Sequence, residues 1–202
     1  MEFTLIGADP RFRFLKERLE ADGHRLTPNA AHIIAPPALR QGVPYYDEAR
    51  FVEENAELTA EGAAELVMRR TDRALPELSV LVTGYGRIGR RLAKKLAALG
   101  AKVTVAARRP ETRAEAAAQG FRVVDITNIP GRYDVLVNTV PAPVLSGTHG
   151  AELCLDLASA PGGWRDDTPV MRAPGLPGTY APRSAADRLA EAVYRIMEVD
   201  II

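Results

Sequence analysis

Three glycines, Gly84, Gly86 and Gly89, stand in the spacing G-x-G-x-x-G, with Tyr85, Arg87 and Ile88 between them. Glycine at the first position permits a tight turn out of a strand. At the second it leaves no side chain to hold a diphosphate off the backbone, and at the third it lets a helix pack closely on the strand. The free N–H groups at the start of that helix would face the phosphates. The flanking residues supply the elements that must position this loop. Leu78–Thr83 is an apolar run of strand length. A helix pattern follows, with Ile88, Leu92, Leu96 and Leu99 on one stripe and Ala93 and Ala97 beside it. Gly100 stops that helix, and a Val-rich second strand begins at Ala101. Strand, turn, helix and strand in this order make the glycine spacing specific for a dinucleotide.

The second strand ends Ala106-Ala107-Arg108-Arg109, with no acid. An NAD site places an Asp or Glu there for the ribose 2′-hydroxyl, whereas a guanidinium attracts a 2′-phosphate and grips it bidentately. Arg108 and Arg109 therefore favour NADP, with NAD as the alternative. At least one of the two is expected to be only a solvated strand end. A further strand, Asp134–Thr139, runs into Val140-Pro141. Ligands of doubly wound sheets sit at strand carboxyl ends, so Asn138, Thr139, Val140 and Pro141 are expected at the cleft near the nicotinamide. Asp156 lies inside the apolar run Leu153–Leu157 and needs a partner if buried. A structural anchor for the next loop is preferred over a site role.

The 202 residues carry 26 basic and 26 acidic side chains, for a formal net charge of zero. Nucleic acid is therefore not expected as the main partner, because a phosphate backbone demands a basic face. No apolar run approaches the ~20 residues of a membrane span. The first residues, Met-Glu-Phe-Thr-Leu-Ile, lack the basic region of a signal peptide. The single Cys154 cannot form an internal disulfide and reads as a small buried hydrophobe. A cytoplasmic protein without metal is expected.

The remaining elements give an α/β chain: a Rossmann-type doubly wound parallel sheet with a small N-terminal α/β lobe. Residues 1–55 form the lobe, 56–76 a linking helix, 77–183 the dinucleotide-binding domain, and 184–202 a C-terminal helix packing back on the lobes. In the lobe, Phe3–Ile6 is a strand, and Asp9 caps a helix begun by Pro10, with Phe12, Leu15 and Leu19 buried. Gly23 ends that helix, and His32–Ala35 is a second strand. Residues 41–55 read as loop. Thr59 caps the linking helix, with Glu61 in its first turn. Pro110 starts another helix, closed by Gly120. The prolines and glycines of 174–182 predict an irregular, stiff loop without helix, and Ser184 with Asp187 a capping box for the last helix.

Several segments together resemble the A-subunit family of dipicolinate synthase. They are Gly84–Gly89, Asn138–Pro141, Leu155–Gly163 and Ala173–Ala185, with Glu61-Gly62-Ala63 on the linking helix. The resemblance covers Asn55 to Met197 and departs before it, where the family carries a fuller N-terminal domain. It implies a protein of sporulating bacteria that makes dipicolinate from a dihydrodipicolinate-level precursor with a nicotinamide cofactor. The partners it implies are a small carboxylated substrate and a second, flavoprotein-like subunit, with homo-oligomers also open. Aromatisation would drive hydride transfer without a strong base, and His24, His32 and His149 form no acid–base constellation. Ser159 and Arg183 are the candidate catalytic residues, Arg183 together with the helix start at Ser184 facing a dianionic substrate, while the loop 174–182 is expected to roof the nicotinamide near Asn138–Pro141. Two rivals remain: a shikimate-type, 2-hydroxy-acid-type or amino-acid dehydrogenase on the same scaffold, and a non-catalytic nucleotide-binding subunit.

Overall fold

The computed structural model describes residues 1–198. In chain order its elements are β1 (Glu2–Leu5), α1 (Phe12–Ala21), β2 (Arg25–Leu26), β3 (His32–Ile34), α2 (Ala49–Arg70), β4 (Ser79–Thr83), α3 (Arg87–Ala98), β5 (Lys102–Ala107), α4 (Pro110–Ala118), β6 (Arg122–Asp125), β7 (Val135–Asn138), β8 (Leu153–Asp156), β9 (Met171–Arg172), α5 (Leu176–Tyr180) and α6 (Pro182–Met197). They divide into two units: residues 1–58 with the segment from Gly175 onward, and residues 59–174. The divisions fall inside α2 and just ahead of α5.

The 59–174 unit is a Rossmann-type sheet in the order β6-β5-β4-β7-β8-β9. Every pairing is parallel. Strands of a parallel sheet are covered on both faces and read as continuous apolar runs. Val80–Thr83, Val135–Asn138 and Leu153–Asp156 are accordingly buried residue after residue. Each fully buried Val or Leu here contributes about 1.5–3 kcal/mol. The strand order reverses between β4 and β7, and that switch point places the carboxyl ends of β4, β5 and β7 around one crevice. Cys154 is buried in the core with Leu81, Leu136 and Leu145, and burial pushes its thiol pKa up.

The other unit has a three-stranded parallel sheet, β2-β1-β3. Phe12, Leu15 and Leu19 are the buried stripe of α1. They pack with Phe3, Ile34 and Phe51 against Leu189, Val193 and Tyr194 of α6.

Several local expectations are corrected. α2 begins at Ala49, ten residues before Thr59, because the carboxylate of Glu48 accepts from the N–H groups of Arg50 (3.1 Å) and Phe51 (2.8 Å). Thr59 is buried in mid-helix, and Glu61 pairs with Lys95 at 3.3 Å. α1 starts at Phe12, two residues after Pro10, while Asp9 accepts from the Arg11 N–H at 2.9 Å. Leu99 is 49% exposed, past the end of α3, whose buried stripe is Gly89, Leu92, Ala93 and Leu96. The 174–182 segment holds a short helix, α5. Gly175 enters it with φ +66, and Pro177 stands in its first turn, where no N–H is needed. Pro182 likewise opens α6, so Ser184 is inside that helix and caps nothing. β2 was not foreseen.

Candidate functional site: a dinucleotide crevice at the switch point

The three glycines differ in what surrounds them. Gly84 has φ +87, and a Cβ there would lie 2.6 Å from Thr139 Oγ1 and 2.9 Å from Val140 Cγ2. A Cβ on Gly89 would lie 2.2 Å from the Gly84 carbonyl oxygen. Both are glycine because the chain crosses itself there. Gly86 is different: a Cβ would meet nothing within 4 Å. It is exposed and is the residue preceding α3, whose first turn no side chain caps. Its bareness serves space outside the protein. The N–H groups of a helix's first turn, its positive end and an open approach suit a diphosphate.

That space belongs to a crevice of about 300 Å³. Gly84–Gly86 and Arg90 form one wall, Ala107–Arg109 of the β5 end a second, and Val140 and Val144 a third. Arg108 and Arg109 are exposed there. Their backbone is held by a residue that the glycine spacing and the strand-end arginines do not single out. One Arg113 nitrogen, Nη1, donates to the carbonyls of Ala107 (2.8 Å) and Arg108 (2.7 Å) and to Asp125 Oδ2 (2.8 Å). The N–H and hydroxyl of Thr127, together with Arg113, hold the Asp125 carboxyl below its ordinary pKa. Glu115, the one acid lining this crevice, lies 3.6 Å from Arg90. Three guanidiniums against one carboxylate leave the crevice lining net positive.

Tyr85 is 4% exposed with its ring edge-on to Phe121, centroids 6.0 Å apart. Burial raises its pKa, and its hydroxyl has no hydrogen-bond partner among the described residues. Arg87 is the exposed first residue of α3, and Ile88 is half-buried.

Asn138 is corrected. It does not line the crevice; it is fully buried. Its Oδ1 accepts from Thr83 Oγ1 (2.7 Å) and from the Val140 N–H (3.1 Å), and its Nδ2 donates to the Val140 carbonyl (3.0 Å) and to Asp156 Oδ1 (2.8 Å). All its polar capacity is spent beneath the floor. Thr139 donates its N–H and hydroxyl to the Thr83 carbonyl at 3.0 and 2.8 Å. Val140 reaches the crevice, and Pro141 follows it, exposed. Asp156 is the anchor: its oxygens accept from Asn138, from the Ala158 N–H (3.1 Å) and from the Gly163 N–H (3.0 Å), fixing the loop between them.

Ser159 is exposed in that loop and is not among the residues lining the crevice. Arg183 belongs to the other unit, where it pairs with Glu17 at 2.9 Å and lies 4.6 Å over the Phe14 ring. His24 packs its ring on Phe3 and Tyr194, and His32 lies against Phe3.

Comparison with known proteins agrees with this geometry. Residues 47–149 match the family described as D-isomer specific 2-hydroxyacid dehydrogenase, NAD binding domain. The dipicolinate synthase A-subunit of Bacillus subtilis is 33% identical over 178 residues, an alignment covering 81% of this chain and 60% of the relative. The chain thus spans about three fifths of that protein's length. Among solved structures, the dipicolinate synthase A-subunit from Bacillus subtilis superposes with a TM-score of 0.79 at 22% identity, covering 98% of this chain and 96% of that one. Its counterpart from Bacillus halodurans gives 0.77 at 21% identity over 97% of each. These two likenesses establish the fold.

Proposed function

The chain belongs to the D-isomer specific 2-hydroxyacid dehydrogenase NAD-binding family and is a homologue of the dipicolinate synthase A-subunit, and from that premise we propose an NADP-dependent oxidoreductase that oxidises a dihydrodipicolinate-like small dicarboxylate. The family gives a nicotinamide-binding Rossmann domain and a dehydrogenase-like role. The finer reading comprises the choice of NADP, the substrate and a flavoprotein-like partner. Further copies of the chain are a second partner class under this proposal.

One observation carries it: the side-chain-free tip at Gly86 opens onto a crevice whose far wall is Arg108 and Arg109. The cofactor, when bound, supplies the hydride acceptor. The protein's own residues do the rest. The α3 N–H groups receive the diphosphate, Arg108 and Arg109 meet the 2′-phosphate, and Arg113 keeps their backbone in place. Thr139 and Val140 shape the wall near the nicotinamide. On this unit Ser159 remains the proposed substrate contact; Arg183 belongs to the other unit, where Glu17 engages it.

Charge-assisted bonds to a 2′-phosphate are worth about 1.5–3 kcal/mol, or roughly 10- to 100-fold in affinity. NADPH is expected to bind tighter than NADH by that ratio in fluorescence titrations, and Arg108→Asp to abolish the preference. Equal affinities in the unmodified protein remove the case for NADP. The family description supports a second reading, oxidation of a 2-hydroxy acid. Turnover of NADP⁺ by the isolated chain with a dihydrodipicolinate or with a D-2-hydroxy acid separates the two. Turnover with neither, despite tight nucleotide binding, identifies a nucleotide-binding component that acts through a partner.

A further inference from the structure

The 59–174 unit has a second concavity, at the opposite end of its strands. It has a volume of about 650 Å³ and is framed by Lys94 and Ala97 of α3, Lys102–Thr104 of β5, Gln119–Arg122, and Pro130–Tyr133. That volume is within the ~300–1,000 Å³ of small-molecule sites. It shares no lining residue with the dinucleotide crevice, which opens at the carboxyl ends of the strands, although the Phe121 ring packs edge-on against Tyr85 of that crevice.

Its charge is one-sided. Lys94, Lys102, Arg122 and Arg132 line it, and no lining residue is acidic. By contrast, Arg73 of this unit is held by Asp134, and Arg113 by Asp125. Among the described residues, none of the four lining cations makes an ion pair. In a chain of 26 basic and 26 acidic residues such a local excess is not explained by composition. Lys94 lies before the last turn of α3, and Arg122 and Arg132 lie on no helix end, so no helix dipole accounts for them. Like charges converging on one concave wall repel, and a cleft lined by one sign focuses the field on an opposite charge. Its apolar lining comes from the half-buried ring of Phe121, from Val103 and Pro130, and from Tyr133, whose hydroxyl donates to the Pro130 carbonyl at 3.1 Å.

We propose that this concavity is a second ligand site, taking a small flat molecule that carries carboxylate or phosphate groups. The ring lies on Phe121, and Lys102, Arg122 and Arg132 hold its anionic groups. The site does not depend on which dinucleotide the crevice binds.

Benzene-1,3,5-tricarboxylate and phenyl phosphate serve as the carboxylate and phosphate probes, with citrate as a charged molecule without a ring. In calorimetric titration of the full chain at low salt, the tricarboxylate is expected to bind at least tenfold tighter than citrate and to weaken as salt rises. Lys102→Gln with Arg122→Gln is expected to weaken it at least tenfold, whereas Arg108→Asp leaves it unchanged. Amide NMR shifts in the unmodified protein provide a readout independent of any variant, and they are expected at Gly120 and Gly131. Stronger binding by phenyl phosphate than by the tricarboxylate selects the phosphate form of the ligand. The proposal is overturned if neither probe binds more tightly than citrate, if the paired variant binds as well as the unmodified chain, or if the shifts fall at Gly84–Gly86.

Discussion

Gly86 and Gly89 stand three residues apart and are expected to fail in opposite ways. A side chain at Gly86 has open space and an ordinary backbone angle, φ −80. Gly86→Leu should therefore melt at nearly the same temperature as the unmodified chain while losing nucleotide binding by at least tenfold, since its bulk fills the phosphate approach. At Gly89 a Cβ meets backbone at 2.2 Å. Gly89→Ala should lower stability by about 1–3 kcal/mol, because backbone cannot yield as a side chain can. Thermal melts beside nucleotide titrations separate the two outcomes. The same glycine spacing that announced the fold thus contains one residue for the ligand and two for the chain. Asn138 illustrates what spacing does not reveal. A polar residue at a strand's carboxyl end serves a ligand or the neighbouring strand with equal economy. Only the pairing of β7 with β8, which sets Asn138 opposite Asp156, decides for the neighbour.

At the scale of elements, the β5–α4–β6 corner determines where the two crevice arginines sit. Arg113 joins the end of β5 to Asp125 at the end of β6. Arg113→Ala is expected to weaken NADPH binding by about tenfold, of the order of one charge-assisted bond, and NADH binding less, with Arg108 and Arg109 intact. Equal losses for the two nucleotides would assign Arg113 a purely structural part. Most elements were legible because period and punctuation agreed: α3 and α4 begin and end beside Gly or Pro, and β4, β5, β7 and β8 are apolar runs. The misses differ in cause. Glu48 caps α2 through N–H groups two and three residues on, Pro177 suits the first turn of α5, and only the two-residue β2 is settled by a tertiary partner. β2 exists only because Arg25 and Leu26 pair alongside β1.

For the molecule as a whole, acid stability has an identifiable source. The hydroxyl and N–H of Ser79, with Arg73, hold the Asp134 carboxyl down to about 2. They bind it at 2.6 and 2.7 Å, tying the starts of β7 and β4 together. A depressed folded pKa contributes stability above the unfolded value, near ~4, and that contribution is lost as pH falls from about 4 towards about 2. Asp134→Asn should be less stable than the unmodified chain at pH 7, and the gap should close in melts taken between those limits. A gap that stays constant with pH would assign the contribution to hydrogen bonding without charge.

The two units also differ in how their chain is ordered. Residues 59–174 run without interruption, whereas the other core joins Phe3, Leu15 and Ile34 to Leu189 and Val193. On the ribosome the interior segment can complete its fold on emergence. The first unit must keep Phe3, Leu15 and Ile34 waiting, wet and adhesive, until more than a hundred further codons have been read.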